Sequence, residues 1–157
     1  MIEAPEARIL CRQLNETVRG KKITDVYTQF SPHKFAWFTG SSEEYAEQLS
    51  GKTIDHAQSQ GGMVEITIGD KVLILTDGVN LRYLAPGSKL SAKHQLLIAF
   101  EDESCLVASV RMYGGLMCYD KDAADGVLSN YYLTARSKPQ VMSDGFSPEY
   151  FLFYSTY

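Results

Sequence analysis

From Lys52 to Tyr119 the apolar residues recur with a period of two, and this constrains the fold more than any other feature of the sequence. Successive side chains of an extended strand point to opposite faces, so such a period means strands with one face turned to a core. Ile54 to Gln60, Met63 to Ile68 and Lys71 to Thr76 read as strands, separated by the tight-turn signals Gly61-Gly62 and Gly69-Asp70. Leu81 to Leu84 is a further short strand, ending at the loop Ala85-Pro86-Gly87. Gln95 to Phe100 and Cys105 to Met112 form a hairpin across Glu101-Asp102-Glu103-Ser104. Leu116 to Tyr119 follows as another strand, and Asn130 to Ala135 as a last one.

Ahead of this stretch the period is helical. Pro5 suits a first helical turn, where its missing N–H costs nothing. Ala7, Leu10, Cys11, Leu14 and Val18 then share one stripe over residues 4–18, and Gly20 stands where a C-terminal cap belongs. A strand from Ile23 to Phe30 and a shorter one from Lys34 to Phe38 come next. Ser41 to Ser50 reads as a short helix, with Ser41 and Glu44 at capping-box spacing. Ser147-Pro148-Glu149 has the character of one more helix start. The sum is an α+β domain: a mainly antiparallel sandwich or open barrel of roughly eight strands, flanked by two helices.

Composition sets the class of partner. At 157 residues the chain has the length of one domain, and with 45% hydrophobic and 22% charged residues it can build a core. No apolar run approaches the ~20 residues that span a bilayer, and the first residues lack a secretory pattern, so a cytoplasmic protein without a membrane partner is expected. Fifteen basic against nineteen acidic residues give a net charge of −4. A free-standing, non-specific nucleic-acid binder is usually basic, so a polyanion would have to meet a local patch. Cys11, Cys105 and Cys118 form no CxxC pair and read as reduced thiols. His33, His56 and His94 lack metal-ligand spacing, and Asp120 to Gly126 does not follow the calcium-loop pattern, so neither metal nor cofactor is expected.

Two local groups carry chemistry. Lys89, Lys93 and His94 place positive charge at a loop-to-strand boundary. Arg111-Met112-Tyr113-Gly114-Gly115 sets a cation, an apolar residue and an aromatic beside two glycines. By spacing alone this second group is either an ordinary hairpin with a salt-bridged arginine or a contact for a phosphate and a stacked base.

Met1-Ile2-Glu3-Ala4-Pro5-Glu6-Ala7 resembles the start of the formamidopyrimidine-DNA glycosylase and endonuclease VIII family, Met-Pro-Glu-Leu/Gly-Pro-Glu. Further similarities follow in the same order: Gly20-Lys21-Lys22-Ile23, Phe35-Ala36-Trp37, Leu49-Ser50-Gly51-Lys52-Thr53-Ile54, Lys93-His94, Arg111-Met112-Tyr113-Gly114, and the run from Lys138-Pro139 to Tyr150-Phe151. The resemblance implies the family's N-terminal β-sandwich domain over residues 1–137. Residues 138–157 would then begin a linker toward a helix-two-turn-helix and zinc-finger half.

What the resemblance implies about function is specific. Such proteins are base-excision-repair DNA glycosylases and abasic-site lyases that remove oxidised bases from DNA, with damaged double-stranded DNA as partner. An N-terminal amine attacks the sugar, a neighbouring glutamate moves protons, and side chains fill the gap left by the extruded base. Glu3 falls on the catalytic glutamate. Arg111 falls on the residue facing the orphaned base, Tyr113 on the aromatic wedge, and Val79 near a methionine that also fills the void. Lys93, His94 and Lys34 are further candidates for contact with DNA. The nucleophilic proline is replaced by Ile2, whose amine would be free only after loss of Met1, and Met1 is expected to stay. Gly62 or Gly61 stands where the family has a turn lysine. These replacements keep an alternative open, a catalytically inactive module of the same fold that binds damaged DNA. The acidic balance keeps a third open, a scaffold for another ligand.

Overall fold

In the computed structural model, residues 2–28, 30–90 and 93–121 are described. The first helix, α1, spans Ala4–Thr17 with Pro5 in its first turn. Ala7, Cys11 and Leu14 are its buried stripe, and the Val18 N–H closes it on the Leu14 carbonyl at 2.8 Å. The expected helix is therefore present, with Val18 as its C-cap.

Seven strands follow: β1 (Ile23–Thr28), β2 (Ala36–Phe38), β3 (Ile54–Gln60), β4 (Met63–Ile68), β5 (Lys71–Leu84), β6 (Leu96–Phe100) and β7 (Cys105–Asp120). They make one sheet in the order β1-β6-β7-β5-β4-β3, antiparallel throughout except that β2 joins β7 in parallel. The fold is thus a mostly antiparallel sheet with two short helices, as expected. The strand expected at Asn130–Ala135, the later helix start and the boundary at 137 lie outside the described residues.

Several boundaries differ from the sequence reading: β1 ends at Thr28, short of Phe30, β2 begins at Ala36 and not at Lys34, and two pairs of expected strands are joined. The strands expected at 71–76 and 81–84 are one strand, β5, and those at 105–112 and 116–119 are one strand, β7. Pairing between β5 and β7 resumes beyond the glycines, so the turn-forming residues bend the strands rather than end them. These two strands form the spine of the sheet. The first half of β5 pairs with β4, while the first half of β7 pairs with β6 and its second half with β2.

One cluster gathers Val64, Ile66, Leu73 and Leu75 from one end of the sheet and Leu96, Ile98, Leu106 and Ala108 from the other, together with Ala7, Leu14, Tyr45 and Leu49 from the helices. Both ends face the same core, so the sheet curls around it. Asn15 of α1 fastens the edge: its side-chain amide donates to the Ala57 carbonyl at 2.9 Å and its oxygen accepts from the Ala57 N–H at 2.8 Å. Those groups belong to edge strand β3, where outward-facing backbone lacks a strand partner.

The second helical segment is shorter than expected. Ser42–Glu44 form a 3-10 turn and α2 runs only Tyr45–Leu49. Ser41 offers no side-chain cap; only its carbonyl accepts, from the Glu44 N–H at 3.1 Å. The expected capping box is absent because a buried tyrosine positions this segment instead. Tyr45 donates its hydroxyl to the Leu116 carbonyl at 2.6 Å and accepts from the Thr39 N–H at 2.9 Å, and burial pushes its pKa up to about 12.

Candidate functional site

The site begins at a mismatch in the spine. Asp77 pairs with Gly114 and Val79 with Val110, so the single residue Gly78 faces three residues of β7: Arg111, Met112 and Tyr113. A Cβ on Gly78 would stand 2.0 Å from the Arg111 carbonyl oxygen and 2.4 Å from that of Tyr113, so only glycine fits. Asp77 (φ 58°) and Met112 (φ 64°) both lie in the left-handed region, which non-glycine residues enter at a cost. Thr76 steadies the kink, donating to the Asp77 carboxylate at 3.0 Å and accepting from the Gly115 N–H at 3.1 Å. The bulge presents three consecutive side chains: Arg111 exposed, Met112 78% exposed and Tyr113 half-buried.

The chain start is held at the same kink. The Ile2 nitrogen donates to the Asp77 carbonyl at 2.6 Å, and the Ile2 side chain is buried in the core. On its other side a Cβ at Gly62, in the β3–β4 turn, would lie 2.8 Å from the Ile2 carbonyl oxygen. Ile2 is thus clamped between that turn and the bulge. Glu3 is exposed at the N-cap of α1, with its carbonyl accepting from the Ala7 N–H at 2.8 Å.

Strand β2 borders the bulge. The Gly114 N–H donates to the Phe35 carbonyl at 3.0 Å, and the Trp37 and Tyr113 rings lie 5.8 Å apart at 44°. The Lys34 ammonium sits 5.6 Å from the centre of the Phe35 ring. On the other side Gln95, almost fully buried, accepts from the Val110 N–H at 2.6 Å and donates to the Ser31 carbonyl at 2.8 Å. Gln95 therefore couples the segment carrying Lys93 and His94 to the residue before Arg111. Lys93 is exposed. His94 is buried, its ring stacked on Phe30 at 4.6 Å.

Ile2, Val79, Arg111 and Tyr113 thus meet at one kink, with Glu3 and Lys34 on segments anchored to it. Two residues picked from the sequence are not on its surface. Val79 is buried, its Cγ2 2.9 Å from where a Gly114 Cβ would be, and His94 is covered by Phe30. The apolar side chain that does project is Met112. Gln95, Thr76, Gly78 and Trp37 were not legible as parts of the site, although the Asp77-Gly78 dipeptide is the kind of pair that marks a kink. Among the described residues, four lysines are held in ion pairs elsewhere: Lys21 with Asp102, Lys22 with Glu101, Lys52 with Asp70 and Lys71 with Asp120. Arg111 and Lys34 stand in none of these pairs. No group of three or more His, Cys, Asp or Glu among the described residues could hold a metal ion, and none of their helices is long and apolar enough to cross a membrane.

The fold matches a known domain. The family model of the formamidopyrimidine-DNA glycosylase N-terminal domain covers residues 1–84, more than half of the chain. The chain belongs to that family. A curated relative, the formamidopyrimidine-DNA glycosylase of Streptococcus pneumoniae (strain ATCC BAA-255 / R6), is 25% identical over 155 residues, which is 96% of this chain and 53% of the relative. The chain spans about half the length of the glycosylase it matches. Among solved structures, a complex of the Lactococcus lactis Fpg with DNA containing an abasic site is 26% identical with a TM-score of 0.65, over 76% of this chain and 44% of that one. MutM in complex with DNA containing carbocyclic 8-oxo-G is 25% identical with the same TM-score, over 76% and 45%. A further complex, of the LlFpg protein with a THF-DNA and an inhibitor, shares the fold at a TM-score of 0.68 over 84% and 48%.

Proposed function

We propose that this chain is the lesion-recognising N-terminal half of a base-excision-repair DNA glycosylase and abasic-site lyase acting on oxidised bases, with damaged double-stranded DNA as its partner. The observation that carries the reading is the bulge opposite Gly78, which sets Arg111, Met112 and Tyr113 side by side next to the clamped Ile2. A base drawn out of a duplex leaves a gap and an orphaned partner. A guanidinium suits the orphan and nearby phosphates, and an apolar or aromatic side chain suits the gap. Glu3, next to Ile2 in the chain, has an exposed side chain, and in this reading its carboxylate moves the protons. The similar structures that hold DNA with an abasic site or a modified guanine support the same partner.

One observation favours a second reading, binding without catalysis. With Met1 in place the Ile2 nitrogen is an amide, and it already donates to the Asp77 carbonyl. Such a nitrogen is no nucleophile. Fluorescence anisotropy with a duplex carrying a stable abasic analogue, against the intact duplex at two salt concentrations, tests recognition. Lesion preference that weakens with salt and is lost in Arg111→Ala is expected; equal affinity for both duplexes overturns it. Borohydride trapping on abasic DNA then separates the readings. A covalent adduct establishes the lyase. Its absence, under conditions that trap an established member, leaves the binding module.

A further inference from the structure

We propose that Trp37 and Tyr113 form a stacking platform for an unpaired nucleobase at the border of the bulge, a reading that rests on the nucleic-acid function proposed above. In β2, Ala36 and Phe38 pack against the core, so strand alternation turns Trp37 outward, where it is 50% exposed. The residue paired with it across β7 is Gly115, which has no side chain to cover the indole. The Tyr113 ring leans on Trp37 at 44°, tilted and not face to face, so neither ring hides the other. Phe35, just before β2, is 48% exposed, and Met112, next to Tyr113 in the chain, is 78% exposed. Large apolar side chains left outward on one face mark a binding surface.

The flanking charges say what it binds. Arg111 and Lys34 border the aromatic group and stand in none of the ion pairs formed among the described residues, in a chain whose net charge is −4. Aromatic rings for a base with cations for its phosphates is the arrangement of single-strand and gap recognition. An apolar protein partner would not call for cations beside the patch.

Trp37 is the sole tryptophan of the sequence, so it reports directly on its own contacts. The experiment titrates the whole chain with oligonucleotides and follows indole emission and anisotropy of the labelled DNA together. Three probes separate the source of the base: a duplex with an abasic analogue opposite a normal base, the same duplex abasic on both strands, and a single strand. Quenching that tracks binding is expected. Quenching lost in the doubly abasic duplex assigns the orphaned base; quenching retained there means that a paired neighbour is what the indole touches and overturns the unpaired base. Trp37→Ala should weaken binding on the order of tenfold, within the range of one base–aromatic stack, while Trp37→Phe keeps most of the affinity. Circular dichroism checks that both variants fold. DNA bound with unchanged emission, and equally by Trp37→Ala, overturns the platform and leaves the recognition reading standing. No binding of any probe by the parent chain overturns both.

Discussion

A methyl group on Gly78 has nowhere to go: two carbonyl oxygens of the opposite strand stand 2.0 and 2.4 Å from where it would be. Backbone cannot rotate aside as a flexible side chain can, so β5 and β7 would have to separate at the kink. Gly78→Ala is expected to destabilise the fold by about 3 kcal/mol or more, beyond ordinary overpacking. It should also disturb the Asp77 carbonyl that holds Ile2. Chemical denaturation reads the first effect and lesion preference the second; a variant as stable as the parent would refute the clash. A second residue-scale device is the Asp102 carboxylate. It accepts from Lys21 and Ser104, and the Lys21 ammonium, more than the Ser104 bonds, holds its pKa down at about 2. An unfolded aspartate titrates near ~3.9. A depressed carboxylate therefore contributes stability that is present above that value and is lost as pH falls toward about 2. Asp102→Asn should lower stability near neutral pH and match the parent at the acid end. A constant difference across the whole range would show that the ion pair is not its cause.

At the scale of elements, what could be read in the sequence was what repeats locally. The stripe Ala7-Cys11-Leu14 gave α1, and period-two runs with glycine turns gave β3, β4, β6 and most of β5 and β7. The joining of 71–76 to 81–84 was hidden because it depends on a partner strand far along the chain, as did the role of Gln95 in bonding Val110. The burial of Val79 and His94 was hidden for the same reason: Val79 joins the core cluster and His94 stacks on Phe30, contacts that no local pattern places there. Ser41 and Glu44 show the reverse error, a local motif overruled by tertiary contact. The contact that overrules it is Tyr45. Tyr45→Phe leaves the Leu116 carbonyl and the Thr39 N–H without their partner at almost unchanged volume, which should cost about 1–3 kcal/mol. The measurement is a denaturant midpoint at unchanged slope. A neutral outcome would mean that water replaces the hydroxyl and that α2 is held by packing alone.

For the whole molecule the question is how an acidic chain meets a polyanion. Nineteen acidic residues against fifteen basic ones repel a phosphate backbone at long range, so association must rest on where the cations stand. Lys21, Lys22, Lys52 and Lys71 are held by carboxylates at turns and strand ends. Arg111 and Lys34 stand instead at the bulge. Salt dependence separates the two sets, because removing a cation that neutralises one phosphate reduces the slope of log affinity against log salt by about one. Arg111→Ala and Lys34→Ala should each flatten that slope by about one when binding to the abasic duplex is measured across a salt series. Lys52→Ala, which removes the partner of Asp70, should leave it unchanged. Equal flattening by all three would mean that the chain meets DNA through its overall field and not through this face, and the acidic composition would then count against the function proposed for it.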